Sequence, residues 1–176
     1  MIRSFEDMTP RIHPTAFVSE AAYVIGDVEL EEGVSIWPGA VVRGDIGKVI
    51  IRRNTAIEDG TIVHGAPGGD MTIGSSTMIG HGVVVHARNV GDHCLIGNGA
   101  TLSEGSDIGD WCVVGAGTLV LPRARILSRS LVLGHPGAVK GEITEAHERR
   151  LSTSFNIHVE MAKRYLKAGL GSALPD

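Results

Sequence analysis

Three histidines carry the strongest chemical signal in this sequence: His64, His81 and His86. Imidazole is a common ligand for transition metals, and three of them suit a catalytic Zn²⁺ whose fourth position stays open for water. Such a site needs ligand nitrogens ~3.3 Å apart, because Zn–N bonds are ~2.0–2.1 Å. The same residues admit another reading, in which one histidine is the general base of an acyl transfer. Isolated histidines elsewhere (His13, His93, His135, His147, His158) are read as ordinary surface residues. Which chemistry is open to His64, His81 and His86 depends on the elements that hold them.

Those elements follow from a period of six. Aliphatic residues recur at Ile12, Val18, Val24, Leu30, Ile36 and Val42, then at Ile51, Ile57 and Val63, then at Ile73, Ile79 and Val85, and finally from Val90 through Ile96, Leu102, Ile108, Val114, Val120 and Ile126 to Val132. Gly often follows, as at Gly74, Gly80 and Gly97, and the fifth position is often small, as at Ala40, Thr61 and Ala100. This period fits neither a 3.6-residue helix nor an alternating sandwich strand. It fits a solenoid in which each hexad is one short strand and one corner. Three hexads close a triangular coil, and about seven coils stack ~4.8 Å apart. The prediction is an all-β solenoid over residues 1–139, with residues 140–176 forming a C-terminal α-helix that packs on it as part of one structural domain. The phase slips between Val42 and Ile51, between Val63 and Ile73, and between Val85 and Val90, and each slip should become a loop on one face.

The register then places side chains. His64 follows Val63 and His86 follows Val85 one coil later, so the two rings should stack outward in one column. Arg43 follows Val42 in the same column. His81 sits two residues beyond Ile79, near a neighbouring corner, with Asp59 and Asn98 at equivalent positions one coil away. One chain should therefore not bring all three imidazoles to one ion. Three-fold packing of identical prisms would set one subunit's His81 opposite the next subunit's His64 and His86.

Trp37-Pro38-Gly39-Ala40-Val41-Val42-Arg43-Gly44-Asp45, Glu58-Asp59-Gly60-Thr61-Ile62-Val63-His64 and Ile79-Gly80-His81-Gly82 with His86 resemble γ-class carbonic anhydrases and their bacterial homologues. The resemblance covers nearly the whole chain. It implies a left-handed parallel β-helix, whereas the general crossover rule favours the right hand. It also implies a homotrimer with metal sites between subunits, His64 and His86 from one subunit and His81 from its neighbour. Zn is the implied cofactor, with Co or Fe(II) acceptable to three imidazoles. Arg43 and Asp45 match a family Arg-Gly-Asp element whose charges pair across the interface and order the assembly. The implied reaction is reversible hydration of CO₂ to bicarbonate by a metal-bound hydroxide, with Glu58 and Asp59 as the acidic groups beside the metal.

Some residues depart from that family's pattern. Glu58 stands where Gln is frequent and Ala56 where Asn is frequent; a carboxylate cannot donate a hydrogen bond to an oxyanion. The loop after His64 is short, Gly65 to Met71, and Asp70 is its only acid. His158 falls near a position where homologues often carry Tyr. Two further functions therefore stand beside the anhydrase: an acyl-CoA transferase or metal-dependent thioesterase of the hexapeptide superfamily, and a non-catalytic metal-binding or assembly subunit.

Composition bounds the partners. The chain of 176 residues has a net charge of −4 and no basic run of the kind that holds nucleic acid. No apolar run reaches the ~18 residues of a membrane span, and residues 1–11 lack a signal-peptide core. The expectation is a cytoplasmic protein that acts on a small molecule. Leu151, Phe155, Val159, Ala162 and Leu166 recur at helical spacing, with Thr144 as N-cap and Gly169 as stop. Cys94 and Cys112 lie one coil apart at the small fifth position, and are expected to stack as buried free thiols.

Overall fold

The computed structural model describes residues 1–66 and 68–171; Pro67, in the loop after His64, and residues 172–176 of the helical segment lie outside the described residues. Most hexads form a strand of two or three residues and then turn, while Tyr23–Leu30 and Val41–Ile51 run on as longer strands, and the aliphatic residues of the repeat point into the coil. The coils pair in parallel, rung on rung, into a left-handed β-helix of about seven turns. Three columns fill its interior. The first face contributes Val24, Val42, Val63, Val85, Leu102 and Val120. The second contributes Leu30, Ile51, Ile73, Val90 and Ile108, and the third Val18, Ile36, Ile57, Ile79, Ile96, Val114 and Val132; all are buried. A corner must turn within few residues. The corner before the first face does so with Gly39, Gly60, Gly82, Gly99 and Gly117 at φ of +64° to +73°, a region that only glycine enters freely.

Below the aliphatic core, one corner carries a polar ladder. Thr55 Oγ1 donates to the Gly74 carbonyl at 2.6 Å and accepts the Thr77 amide at 3.1 Å. Thr77 Oγ1 donates to Gly91 at 2.8 Å and accepts from the Cys94 amide at 3.0 Å. Cys94 Sγ continues to the Gly109 carbonyl at 3.1 Å, and the Cys112 amide approaches Cys94 Sγ at 3.4 Å. Both cysteines are free and buried. They do the work of a threonine hydroxyl, satisfying corner amides and carbonyls that water cannot reach.

The outward columns differ sharply. On the first face they read Tyr23, Val41, Ile62, Val84, Thr101 and Leu119, mostly apolar and not covered by the chain's own helix. On the second face they read Arg11, Glu29, Ile50, Thr72, Asn89, Asp107 and Arg125, a solvated charged surface. The third face is overlaid by helix α1 (Glu145–Lys167). Phe17 and Trp37 from the coil pack against Ala162, Met161, Tyr165 and Leu166 of α1, and Phe17, Trp37 and Tyr165 meet at tilted or edge-on angles with centroids 5.1–5.5 Å apart. Thr144 is the N-cap: its hydroxyl accepts the His147 amide while the His147 side chain reaches back to the Thr144 amide. His147, read from sequence as an idle surface residue, thus closes a capping box. Gly169, at φ +77°, follows the helix end as expected.

Two expectations are corrected. The slip between Val42 and Ile51 is no loop. The strand Val41–Ile51 stays extended through it, carried round a corner by pairing with Tyr23–Leu30 on one side and with Ile62–His64 and Met71–Ile73 on the other. The parallel ladder also stops at Val132, since Ser130–Gly134 pairs antiparallel with Gly137–Glu142 before the helix begins. Among the described residues no helix is long and apolar enough to cross a membrane.

Candidate metal centre

Two edges of the first face bear the predicted residues. The chain enters that face through the corner 80–83, which carries His81, and leaves it at His64 and His86. On the leaving edge, Arg43 pairs in register with His64, and the rings of His64 and His86 lie 5.2 Å apart between centroids. The stacked outward column read from the six-residue register is therefore present.

The Arg43-Gly44-Asp45 element closes around His64. Arg43 Nη1 donates to Asp45 Oδ2 at 2.6 Å, and Nη2 lies 3.3 Å from His64 Nδ1. Arginine can only donate, so Nδ1 accepts, and Nε2–H is left to donate to Asp45 Oδ1 at 3.0 Å. Burial works against the Asp45 charge, but the hydrogen bonds from Arg43 and His64 outweigh it and hold its carboxyl below its ordinary range. Gly44 is required at the centre of the element, because a Cβ there would lie 2.3 Å from the Asp27 carbonyl oxygen. His86 is shifted down, chiefly by burial, with the Arg43 guanidinium acting in the same sense and Glu104 opposing. A downward shift favours the neutral imidazole, the form that ligates metals.

On the entering edge, His81 is more than half exposed and stacks between Asp59 and Asn98, as the register requires: Gly82 N–H donates to the Asp59 carbonyl and Gly99 N–H to that of His81. Each ring nitrogen faces a carboxylate at 3.0 Å, Nε2 to Glu58 Oε2 and Nδ1 to Asp59 Oδ2. Asp59 is half exposed, whereas the Glu58 side chain is only 7% exposed. Glu58 has a second partner, His158 Nε2 of α1, at 2.7 Å from Oε1. Trp37, Glu58, Asp59, His81, Ile157, His158 and Met161 line a cavity of about 190 Å³ between helix and coil.

Sequence reasoning read His158 as a surface residue and noted only that homologues often carry Tyr near its position. A signal was present: Leu151, Phe155, His158 and Ala162 fall on one helical stripe, which turns His158 toward the coil. Among the described residues of one chain, no group of three His, Cys, Asp or Glu is close enough together to hold a metal. His64 and His86 share one edge, and His81 stands on the other. In donor chemistry the three imidazoles fit a zinc-type ion, and ligation by His64 or His81 would exchange one of its present polar contacts for the ion.

Fold and site together define a hexapeptide-repeat β-helix protein with histidines on both edges of one uncovered face. Residues 89–122 match the family model described as bacterial transferase hexapeptide (six repeats). The chain is 37% identical to the carnitine operon protein CaiE of Escherichia coli K12 over 152 residues, 85% of this chain and 78% of that one. It is 33% identical to the mitochondrial gamma carbonic anhydrase 2 of Arabidopsis thaliana over 163 residues, 89% of this chain and 59% of the plant protein. Among solved structures, a putative acetyltransferase of Bacillus cereus superposes with a TM-score of 0.90 at 29% identity, covering 94% of this chain and 96% of that one. The chain belongs to the same hexapeptide-repeat family as the carnitine operon protein CaiE.

Proposed function

We propose that this protein is a homotrimeric, metal-dependent carbonic anhydrase-like enzyme that interconverts CO₂ and bicarbonate. The observation that carries the reading is the placement of histidines at the two edges of one face: His64 and His86 on one, His81 on the other, with an apolar column between them that the chain's own helix leaves bare. Copies packed through this face, about a three-fold axis, complete a three-imidazole site at each boundary. Similarity to the plant gamma carbonic anhydrase supports the same reading.

His64, His86 and the next subunit's equivalent of His81 hold the metal, with Zn first and Co or Fe(II) as alternatives. When bound, such an ion supplies a Lewis acid that brings the pKa of water near 7. The chain does the rest. Arg43 and Asp45 flank the two ring nitrogens of His64, and the one that stays when the other nitrogen takes the metal orients the ring. Glu58 presents a buried carboxylate at the site, 3.0 Å from the His81 ring. Asp59, half exposed beside His81, passes the released proton to solvent. Two carboxylates at the mouth also disfavour retention of an anion, which suits departure of bicarbonate.

Native mass, metal content and stopped-flow CO₂ hydration of the purified protein test this directly. The expected result is a trimer with one zinc per chain whose hydration activity disappears in His64→Ala. A monomer, or a trimer without stoichiometric metal after reconstitution with zinc, cobalt and iron, would reject the site. A metal-loaded trimer inert toward CO₂ would leave the second reading, acyl transfer or metal-dependent thioester hydrolysis, which likeness to the Bacillus cereus putative acetyltransferase favours. Inertness toward acyl-CoA thioesters as well would point to a metal-binding or assembly subunit.

A further inference from the structure

Glu58 has both carboxylate oxygens committed to imidazoles, Oε2 at 3.0 Å from His81 Nε2 and Oε1 at 2.7 Å from His158 Nε2. Its side chain is 7% exposed, so donors from the protein must replace the water it has lost. His158 is itself constrained. It rides on α1 and stands edge-on to Trp37, with ring centroids 6.3 Å apart, and Trp37 is pinned in turn by its Nε1–H, which donates to Ser35 Oγ at 3.1 Å.

His81 lies at the other end of this chain of contacts. It sits on an exposed corner with 55% of its side chain in solvent, so packing does little to hold its ring. Its two carboxylate partners are unequal. Asp59 is half exposed and able to swing away, whereas Glu58 is buried and clamped from behind. The geometry points to His158 as a positioning residue that fixes Glu58 and, through Glu58, the ring of His81. Helix α1 would thereby help to order the outer ligand of a metal site to which it contributes no ligand. This inference rests on the metal role proposed for His81. Partners of this outer kind are general in metal proteins, and their loss costs about 10–100-fold in metal affinity.

The competing role is structural, an ion pair that merely docks the helix. Two variants of the full-length protein separate the roles. His158→Phe keeps an aromatic ring against Trp37 and removes the donor; His158→Gln keeps an N–H within reach of Glu58. Three quantities are read: cobalt(II) affinity by competition, the visible spectrum of the cobalt-loaded protein, and the ring ¹⁵N shifts of His81 in the metal-free protein. The expected result is a 10–100-fold weaker cobalt affinity for His158→Phe, with an altered cobalt spectrum and displaced His81 shifts, all largely restored in His158→Gln. Wild-type affinity, spectrum and shifts in His158→Phe would overturn the inference and leave a docking contact. If the wild-type protein takes up no cobalt, the metal reading fails, and the metal-free His81 shifts decide alone: movement in His158→Phe sustains the positioning chain, and no movement overturns it. Should His158→Phe not fold, Glu58→Gln provides the same ring readout, with simultaneous displacement of the His81 and His158 signals expected and unchanged signals overturning the inference.

Discussion

At the scale of single residues, the candidate ligands were legible because a β-helix converts sequence spacing into height and face. His64 and His86 had to stack once Val63 and Val85 were assigned to one inward column. His81 had to point elsewhere once Ile79 was placed on the third face. Glu58 and His158 were less legible. The six-residue register ends before α1 begins, and no local pattern says which rung a helical side chain will meet. Gly44 shows the tolerance of this region. An alanine Cβ there would overlap the Asp27 carbonyl, a backbone atom on the adjacent rung that cannot give way cheaply. Gly44→Ala is expected to cost about 1–3 kcal/mol, as overpacking does, seen as a lower urea midpoint. It should also displace Arg43 and Asp45 from His64. A stability equal to wild type would mean that the corner relaxes freely.

Elements raise a different question, how a two-residue strand holds its place. Inward aliphatic side chains answer part of it, and the corner ladder of Thr55, Thr77, Cys94 and Cys112 answers the rest. The spacing of the cysteines predicted stacking and burial, but not this hydrogen-bonding role. Cys94→Val, which matches Cys94→Thr in shape, removes the acceptor of the Cys112 amide and the donor to Gly109. It should therefore destabilise by about 1–3 kcal/mol, the cost of leaving buried polar groups unmet. Cys94→Thr keeps both functions and should lose less in the same denaturation series; equal losses would refute the ladder. A second tie joins three rungs on the charged face, where Glu29 meets Arg11 at 2.8 Å and Lys48 at 3.0 Å. Hydrogen bonds from Arg11 first and Lys48 second hold the Glu29 carboxyl below its ordinary value. A carboxyl depressed on folding stabilises the protein above its unfolded pKa of about 4.3, and that contribution fades as pH falls through the lower folded value. The melting temperature of Glu29→Gln should thus differ from wild type at pH 7 and converge with it in acid. A constant difference across this range would exclude the linkage. The strand Val41–Ile51 shows where element prediction failed. The spacing broke there and suggested a loop, but pairing on both sides kept the chain extended, a long-range constraint invisible in a local period.

For the whole molecule, the three faces divide the work. One is charged and solvated, one is overlaid by α1, and one is apolar with the chain's own helix elsewhere. Single-chain geometry keeps His81 on one edge of the apolar first face and His64 with His86 on the other, so the proposed three-imidazole site would need a second copy. This arrangement makes an unusual genetic prediction. His81→Ala and His64→Ala should each bind metal poorly when pure. Co-expressed, they should form mixed trimers in which some boundaries pair an intact His64–His86 edge with an intact His81 edge. Random mixing of equal amounts gives intact ligand sets at about one quarter of the boundaries in a cyclic trimer, and metal content and CO₂ hydration should return in that proportion. A site built within one chain behaves otherwise, since every copy in the mixture carries one defect and nothing is regained. Metal analysis of the co-purified mixture, against each variant alone, therefore decides between a shared site and a private one without a crystal.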